Sequence, residues 1–340
     1  MQDRRRQPVV DLALSERMFI PTAAQARTKA LDRLRLGDVL FRYLTRSAGI
    51  GVLMLLSGVI VSLIIGALPA FGKFGLSFLA SERWNPVTEI FGALPAIYGT
   101  IVTSLIAMLI AVPVGLMIAF FLTELCPQRL RRPIGIAIEL LAGIPSIIYG
   151  IWGLFIFAPF LQATLQPLLI DTLGGMPIIG ALFAGPPYGI GMLTAGLVLA
   201  IMVLPLISSI TRDVFASVPV VLKEAAYGMG CTTWEIGRHV VLPYGRTGVI
   251  GAVMLALGRA LGETMAVTFV IGNAHRISPS LLAPGTTISA SIANEFTEAA
   301  SDIYTSALIA LGLILFVIAF VVLAAARYML LRIERRMRVT

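Results

Sequence analysis

The chain has 340 residues, of which 58% are hydrophobic and 13% charged, and its formal net charge is +8. A soluble domain carries roughly 25% charged residues, so about half that share excludes an ordinary soluble protein and points to an integral membrane protein. The positive balance does not indicate nucleic acid, because the basic residues stand beside apolar runs, where they mark topology.

Residues 1–46 are basic, and the first long apolar run begins only near Ala48, too late for a cleavable signal sequence. This segment is expected to be a cytoplasmic tail, with Met18 to Val39 a candidate amphipathic surface helix. A membrane-crossing helix needs about 20 mainly apolar residues. Six stretches qualify: Ala48–Leu68, Ile97–Leu122, Ile134–Leu161, Tyr188–Ile210, Thr247–Ile271 and Ile303–Arg327. Pro113 is expected to kink the second. Leu165 to Ala184 is apolar but broken by Asp171, Gly174-Gly175 and Pro177, and reads as an external, partly re-entrant loop. Pro69–Pro95 and Ser278–Ala300 are the other external loops, the former folded rather than a linker.

Orientation follows from the basic residues. Twenty-two fall before the first span, after the second, after the fourth and after the sixth. Three, Lys73, Arg83 and Arg276, fall in the alternate loops, and Arg259 lies within a span. Both termini are therefore expected in the cytoplasm. The two cysteines, Cys126 and Cys231, fall in loops on that side, where free thiols are expected, and no metal spacing or redox pair exists. The organisation expected is a basic segment 1–46, a first span with its external loop 47–95, a core 96–328 and a basic tail 329–340.

Two stretches carry the chemistry. In the cytoplasmic loop 211–246, Val221, Leu222, Ala225 and Met229 recur at helical spacing, with Lys223 and Glu224 near the start. Gly228 and Gly230 allow a sharp exit, and a second short helix, Thr233–Val241, is expected to stop at Leu242-Pro243. Two short helices around a glycine hinge suit insertion into a partner's groove. In the fifth span, Arg259 and Glu263 stand four residues apart, which would place them on one helix face. Gly258, Gly262, Ala256, Ala260 and Ala266 let a helix or solute approach. A charge at mid-bilayer costs about 2.5–3.5 kcal/mol on insertion scales, so the two must face a bundle interior or a hydrated path. They could be a self-neutralising lock or an anion path. A guanidinium presents a fork that matches tetrahedral oxyanions. Hydrogen phosphate keeps a P–OH that can donate to Glu263, whereas sulfate has none, so the carboxylate would discriminate between them. Glu139 reads as a carboxylate near the start of the third span, and an exit-path role is the minority view. Ser146, Asn273, Asn294 and Ser289 are weaker pathway candidates.

Glu224-Ala225-Ala226, three residues, Gly230, nine residues, then Val240-x-Leu242-Pro243 resembles the EAA loop of bacterial ABC importer permeases, with Val240 where Ile is usual. Leu257-Gly258-Arg259-Ala260-Leu261-Gly262-Glu263-Thr264-Met265-Ala266-Val267 resembles the phosphate-specific permease family of PstC type. So do Glu139-Leu140-Leu141-Ala142-Gly143-Ile144-Pro145-Ser146 with Tyr149-Gly150, and Tyr98-Gly99-Thr100. The likeness covers most of the chain from about Trp84 to Arg327. It implies an all-α polytopic membrane protein of the type I ABC importer permease fold, with no catalytic site, in the bacterial inner membrane. It implies that Arg259 and Glu263 take part in phosphate translocation. It also implies that Glu224, Ala225, Ala226, Gly230, Leu242 and Pro243 couple to an ATPase. The implied partners are a sister permease (PstA type), an ABC ATPase dimer (PstB type) that hydrolyses ATP with Mg, and a periplasmic phosphate-binding protein (PstS type). The absence of a Walker A pattern agrees with a separate ATPase. The alternatives are an importer of another oxyanion, such as sulfate or molybdate, or an autonomous secondary transporter. An intramembrane enzyme is disfavoured, since the only histidines, His239 and His275, fall in predicted loops.

Overall fold

A computed structural model describes residues 23–177 and 179–337. Residues 1–22 of the basic segment, including the first five of the candidate surface helix, and 338–340 of the tail lie outside the described residues; residues 23–39 of that candidate are helical and run on into the first span. The chain divides into two units, residues 1–61 and 62–340. Helix α1, Ala23–Phe74, supplies every described residue of the first unit, and its last turns belong to the second.

The second unit is helical apart from an isolated antiparallel bridge, Asn85–Ile90. Its helices are α2 (Leu94–Leu125), α3 (Gln128–Ala142), α4 (Ser146–Leu173), α5 (Met192–Ala216), α6 (Val220–Gly228), α7 (Thr233–Leu261), α8 (Met265–Val270), α9 (Ile288–Glu295) and α10 (Asp302–Met337). Six stretches are long and apolar enough to cross a membrane: Gly37–Phe74, Leu94–Leu125, Ser146–Leu173, Met192–Ala216, Thr233–Leu261 and Asp302–Tyr328. The all-α, six-span reading thus holds. The loop 75–93 is folded as expected, with Phe78 and Phe91 fully buried against Ala67, Ala70 and Leu308.

Helix α5 is the axis of the unit. It buries 61% of its most apolar window and packs along the length of α2 and against α7. Small residues make this close packing possible: Ala107, Ala111, Ala195, Ala256, Ala260 and Ala266 are all buried in one core with Leu199, Val203 and Ile207. A smaller core joins Ala119, Phe215, Ala226, Ile236 and Val241 at the end of the bundle that carries α6.

Four boundaries differ from the sequence expectation. The first helix, expected over Ala48–Leu68, runs from Ala23 to Phe74 and takes in residues 69–74 of the expected external loop. The third span is Ser146–Leu173, not Ile134–Leu161. Gly143-Ile144-Pro145 stops α3, because proline biases the residue before it away from helix and offers no N–H of its own. Residues 166–173, expected in an external loop, instead complete that span, and only a short helix, Ile179–Leu182, lies in the rest of it. The fifth helix does not pause at Leu242-Pro243 but runs unbroken from Thr233 to Leu261. Pro243 is accommodated by a π-helical turn, Gly237–Val241, in which Leu242 N–H reaches back five residues to the Gly237 carbonyl. The same device precedes Pro127, Pro159 and Pro167: the residue before each proline donates to the carbonyl five positions earlier. A widened turn relieves the clash of the proline ring with the preceding turn without ending the helix, except at Pro127, where α2 stops.

Candidate functional site

The helical run of the fifth span is broken at its end, just beyond Arg259. Helix α7 ends at Leu261, Gly262 caps it, and α8 starts only at Met265. The break strips the last α7 carbonyls of their helical partners, and such groups persist in a membrane only when protein or a hydrated path satisfies them. Glu263 sits in the gap, half-buried, and its Oε1 accepts the Ala266 N–H at 3.3 Å. Its backbone carbonyl accepts the Ser289 hydroxyl at 2.7 Å, which ties the gap to α9.

The break also corrects the expected geometry. Arg259 and Glu263 do not share one helix face, because α7 ends between them, and they form no ion pair. Arg259 is exposed on the isolated chain and lines an open groove of about 780 Å³ with Leu206, Gly251, Gly258, Leu323 and Arg327. No carboxylate lines this groove, and Arg259 has no acidic partner among the described residues. The self-neutralising lock is therefore not what the structure forms.

The motif residues of the second and third spans hold this region in place. The Tyr98 hydroxyl donates to the Ser278 carbonyl at 3.0 Å, and the Thr100 hydroxyl accepts the Ile288 N–H at 3.0 Å. Between them, a Cβ on Gly99 would lie 1.8 Å from the Thr286 carbonyl oxygen, so the 278–288 segment docks only on a glycine. A Cβ on Gly150 would lie 2.7 Å from the Phe269 ring and 3.1 Å from backbone atoms of Met265 and Ala266, a tight but looser approach, and Tyr149 donates to the Leu141 carbonyl at 2.9 Å. Sequence spacing gave no reason for these residues; contact across the bundle supplies it.

The remaining pathway candidates scatter. Asn273 is exposed, takes a left-handed conformation (φ 51°) and donates to the Thr268 carbonyl at 3.2 Å, closing the turn after α8. Ser146 opens α4 and is half-buried. Glu139 is not at the start of a span. It lies late in α3, exposed, with its carboxylate 2.7 Å from Arg212 of α5. Asn294 is half-buried on α9.

At the far end of α5 the residues expected to couple form a compact handle. Ala226 is buried, anchoring α6 against Phe215 and Val218. Glu224 and Ala225 are exposed, as are Val220, Val221, Leu222 and Met229, so α6 turns an apolar face outward with a carboxylate beside it. Gly230, at φ 84°, makes the turn that only glycine adopts readily. Helix α7 then starts in a capping box, with Thr232 Oγ1 accepting the Glu235 N–H and Glu235 accepting the Thr232 N–H at 2.8 Å. Leu242 and Pro243 are exposed on α7. The Lys223 ammonium is held 2.5 Å from Glu124 of α2, so α6 is pinned to the second span as well.

Sequence reasoning missed one cluster altogether. Glu295 accepts the Trp84 indole N–H, the Tyr304 hydroxyl and His275 Nε2, each at 2.6 Å, and the Trp84 and His275 rings stack 4.9 Å apart. Its members come from four separate segments, so no spacing announces it. Both cysteines are free thiols, and among the described residues no His, Cys, Asp and Glu cluster could hold a metal.

Residues 111–338 match the family model described as binding-protein-dependent transport system inner membrane component. The chain is 67% identical over 317 residues to the "Phosphate transport system permease protein PstC" of Mesorhizobium japonicum, covering 93% of this chain and 97% of that one. The protein of the same name from Pasteurella multocida is 55% identical over 312 residues, covering 92% and 97%. That from Xylella fastidiosa is 58% identical over 299 residues, covering 88% and 92%. Among solved structures, a bacterial alginate ABC transporter in complex with its pentasaccharide-bound periplasmic protein aligns with a TM-score of 0.59 at 17% identity, covering 87% of this chain and 97% of that chain. The MetNI methionine ABC transporter in an inward-facing form aligns with 0.51 at 17% identity, covering 75% and 99%. These likenesses show the fold, that of an ABC importer permease, on which this chain places its six apolar helices. The chain is a multi-pass membrane protein that belongs to the family of binding-protein-dependent transport system inner membrane components, as a permease of the PstC type.

Proposed function

We propose that this chain is a permease subunit of an ATP-driven inorganic phosphate importer in the bacterial inner membrane, with both termini in the cytoplasm. The observation that carries the reading is the opened fifth span: an unpaired guanidinium at the end of α7 and a carboxylate in the gap beyond it. Such a span is what an oxyanion path needs, since a guanidinium attracts the anion while unwound backbone and hydroxyls replace its water. The exposed groove around Arg259 is the face that a sister permease of PstA type covers, turning a lipid-facing charge into a lining of the path. Glu263 accepts from the P–OH of hydrogen phosphate and repels sulfate, which lacks that proton.

The exposed apolar face of α6, with Glu224 and the Gly230 turn, docks on an ATPase of PstB type, which supplies ATP and Mg chemistry that this chain does not perform. Ala225, Ala226, Leu242 and Pro243 complete the handle. Because α7 runs unbroken from the handle to Arg259, movement of α6 reaches the gap through one rigid helix. A periplasmic phosphate-binding protein of PstS type delivers the substrate at the opposite face. In domain terms, 96–328 is the permease core, 211–246 its coupling loop, and 1–46 and 329–340 are cytoplasmic segments.

The test is uptake of labelled phosphate and sulfate by vesicles holding the full complex, comparing wild type with Glu263→Gln. The variant is expected to lose phosphate-over-sulfate discrimination while the complex still assembles. Unchanged uptake and unchanged discrimination would remove Glu263 from the path, and uptake by this chain without an ATPase would remove the reading as a whole.

A further inference from the structure

A second cation-lined cleft lies away from the broken span, at the end of the bundle that carries α6. Its volume is about 520 Å³, within the roughly 300–1,000 Å³ of small-ligand pockets. Arg131 and Arg132 of α3, Arg212 of α5 and Lys223 of α6 line it, with Glu139 the one carboxylate in its wall. Four positive charges against one leave the wall at +3. Adding Asp213 and Glu124, which pair with Arg212 and Lys223 from beside the cleft, still leaves +1.

The pairing is uneven in a way that points to a ligand. Arg212 is held by Glu139 at 2.7 Å and Asp213 at 2.9 Å, and Lys223 by Glu124 at 2.5 Å. Arg131 meets no carboxylate and donates only to the Thr123 carbonyl, at 2.5 Å. Arg132 has no acidic partner among the described residues. Both follow directly on the start of α3, a 15-residue helix with no acidic residue in its first turn to offset its positive end. Two neighbouring guanidiniums without carboxylates, beside an uncompensated helix start, attract an anion with several acceptor oxygens.

We propose that this cleft is a phosphate-group site, separate from the transport path, in which Arg131 and Arg132 take the anion and Lys223 closes over it from α6. The chemistry fits an anionic phospholipid headgroup at the inner leaflet or a free phosphate from solution. Either would bridge α3, α5 and α6, and so bind at the base of the coupling handle. The inner-leaflet placement rests on the orientation proposed above.

The full-length chain, with its co-purifying subunits, is delipidated in detergent and titrated in turn with short-chain phosphatidylglycerol, phosphatidylcholine of the same chain length, and inorganic phosphate. Thermal unfolding is the readout for wild type, Arg132→Gln, the double variant Arg131→Gln/Arg132→Gln, and Arg259→Gln. One anionic probe is expected to raise Tm saturably, with half-saturation about tenfold weaker or worse in the double variant, whereas Arg259→Gln removes any phosphate response that belongs to the transport path instead. A response to phosphatidylglycerol but not phosphatidylcholine assigns a headgroup, and a response to inorganic phosphate assigns a soluble anion. Equal responses to both lipids with none to phosphate would overturn the site. So would a double variant that elutes and responds like wild type. If the double variant misfolds, Arg132→Gln alone, at an exposed position, decides: weakened binding supports the site and unchanged binding refutes it. Binding that persists in a complex unable to move phosphate leaves this site standing and counts against the transport reading instead.

Discussion

Replacing Glu295 by alanine removes the acceptor shared by Trp84, Tyr304 and His275. All three bonds are 2.6 Å long, and the Glu295 and His275 side chains are each only 16% exposed. Hydrogen bonds to a charged group are worth about 1.5–3 kcal/mol each but do not add fully. Breaking a buried pair by deleting one partner costs about 3–5 kcal/mol, because the other groups stay buried and unpaired. The loss should be local, since the cluster joins the 75–93 loop, the 271–287 segment, α9 and the start of α10, and none of Trp84, His275, Glu295 and Tyr304 belongs to the α5 core. Amide exchange in residues 82–93 and 273–280 should therefore accelerate about 10²–10³-fold, one decade per 1.4 kcal/mol. Exchange in α5 beyond its first turn, whose Met192 and Leu193 N–H groups donate to Ala283 and Leu281, should not change. Hydrogen–deuterium exchange with mass spectrometry reads both regions in one experiment, and rates within about threefold of wild type would refute the assignment of the cluster as the external clasp. The same carboxylate predicts a pH effect. Burial pushes its pKa up, but the hydrogen bonds from His275 and Tyr304, the His275 charge and the Trp84 bond outweigh it, so the net value falls below the ordinary 4.5. A depressed carboxylate contributes stability that is present above its unfolded pKa and is lost as pH falls through the folded value. The clasp should hold at neutral pH and open below about pH 4.5, and Glu295→Gln should abolish that step.

Gly99→Ala should be severe for so small a change. Its Cβ would meet a backbone carbonyl at 1.8 Å, so the 278–288 segment must move, at a cost of about 1–3 kcal/mol or more; thermal unfolding and phosphate uptake should both fall, and wild-type values in both would contradict the packing. Gly230→Ala forces a β-carbon into φ 84° at about 1–2 kcal/mol, and should lower ATPase stimulation by substrate more than it lowers Tm. Ser289→Ala removes the 2.7 Å bond to the Glu263 carbonyl, a loss of about 1–3 kcal/mol if that carbonyl finds no water, visible as faster exchange across 262–266.

Composition and the length of the apolar runs alone reveal the class of the protein and the number of its spans. Apolar runs of sufficient length are a one-dimensional property, and lipid admits few ways to satisfy a backbone, so six helices followed from composition alone. Arg259, Glu263 and the Glu224–Gly230 handle were legible for the same reason: a charge in an apolar run and a glycine after a helix stand out locally. Interruptions and cross-bundle contacts, by contrast, emerge only from packing. Pro145 ends a helix and Pro243 does not, because a π-turn fits one site and Gly143 precedes the other. The four-residue spacing of Arg259 and Glu263 suggests one helix face until Gly262 breaks it, and the break holds because Ser289 and the Gly99 contact bring 286–289 against it from the other side. Glu139 reads as the opening of a span and proves to be the partner of Arg212, 73 positions away. The Trp84–His275–Glu295–Tyr304 clasp had no linear signature, since long-range hydrogen bonds leave no period in the chain that makes them.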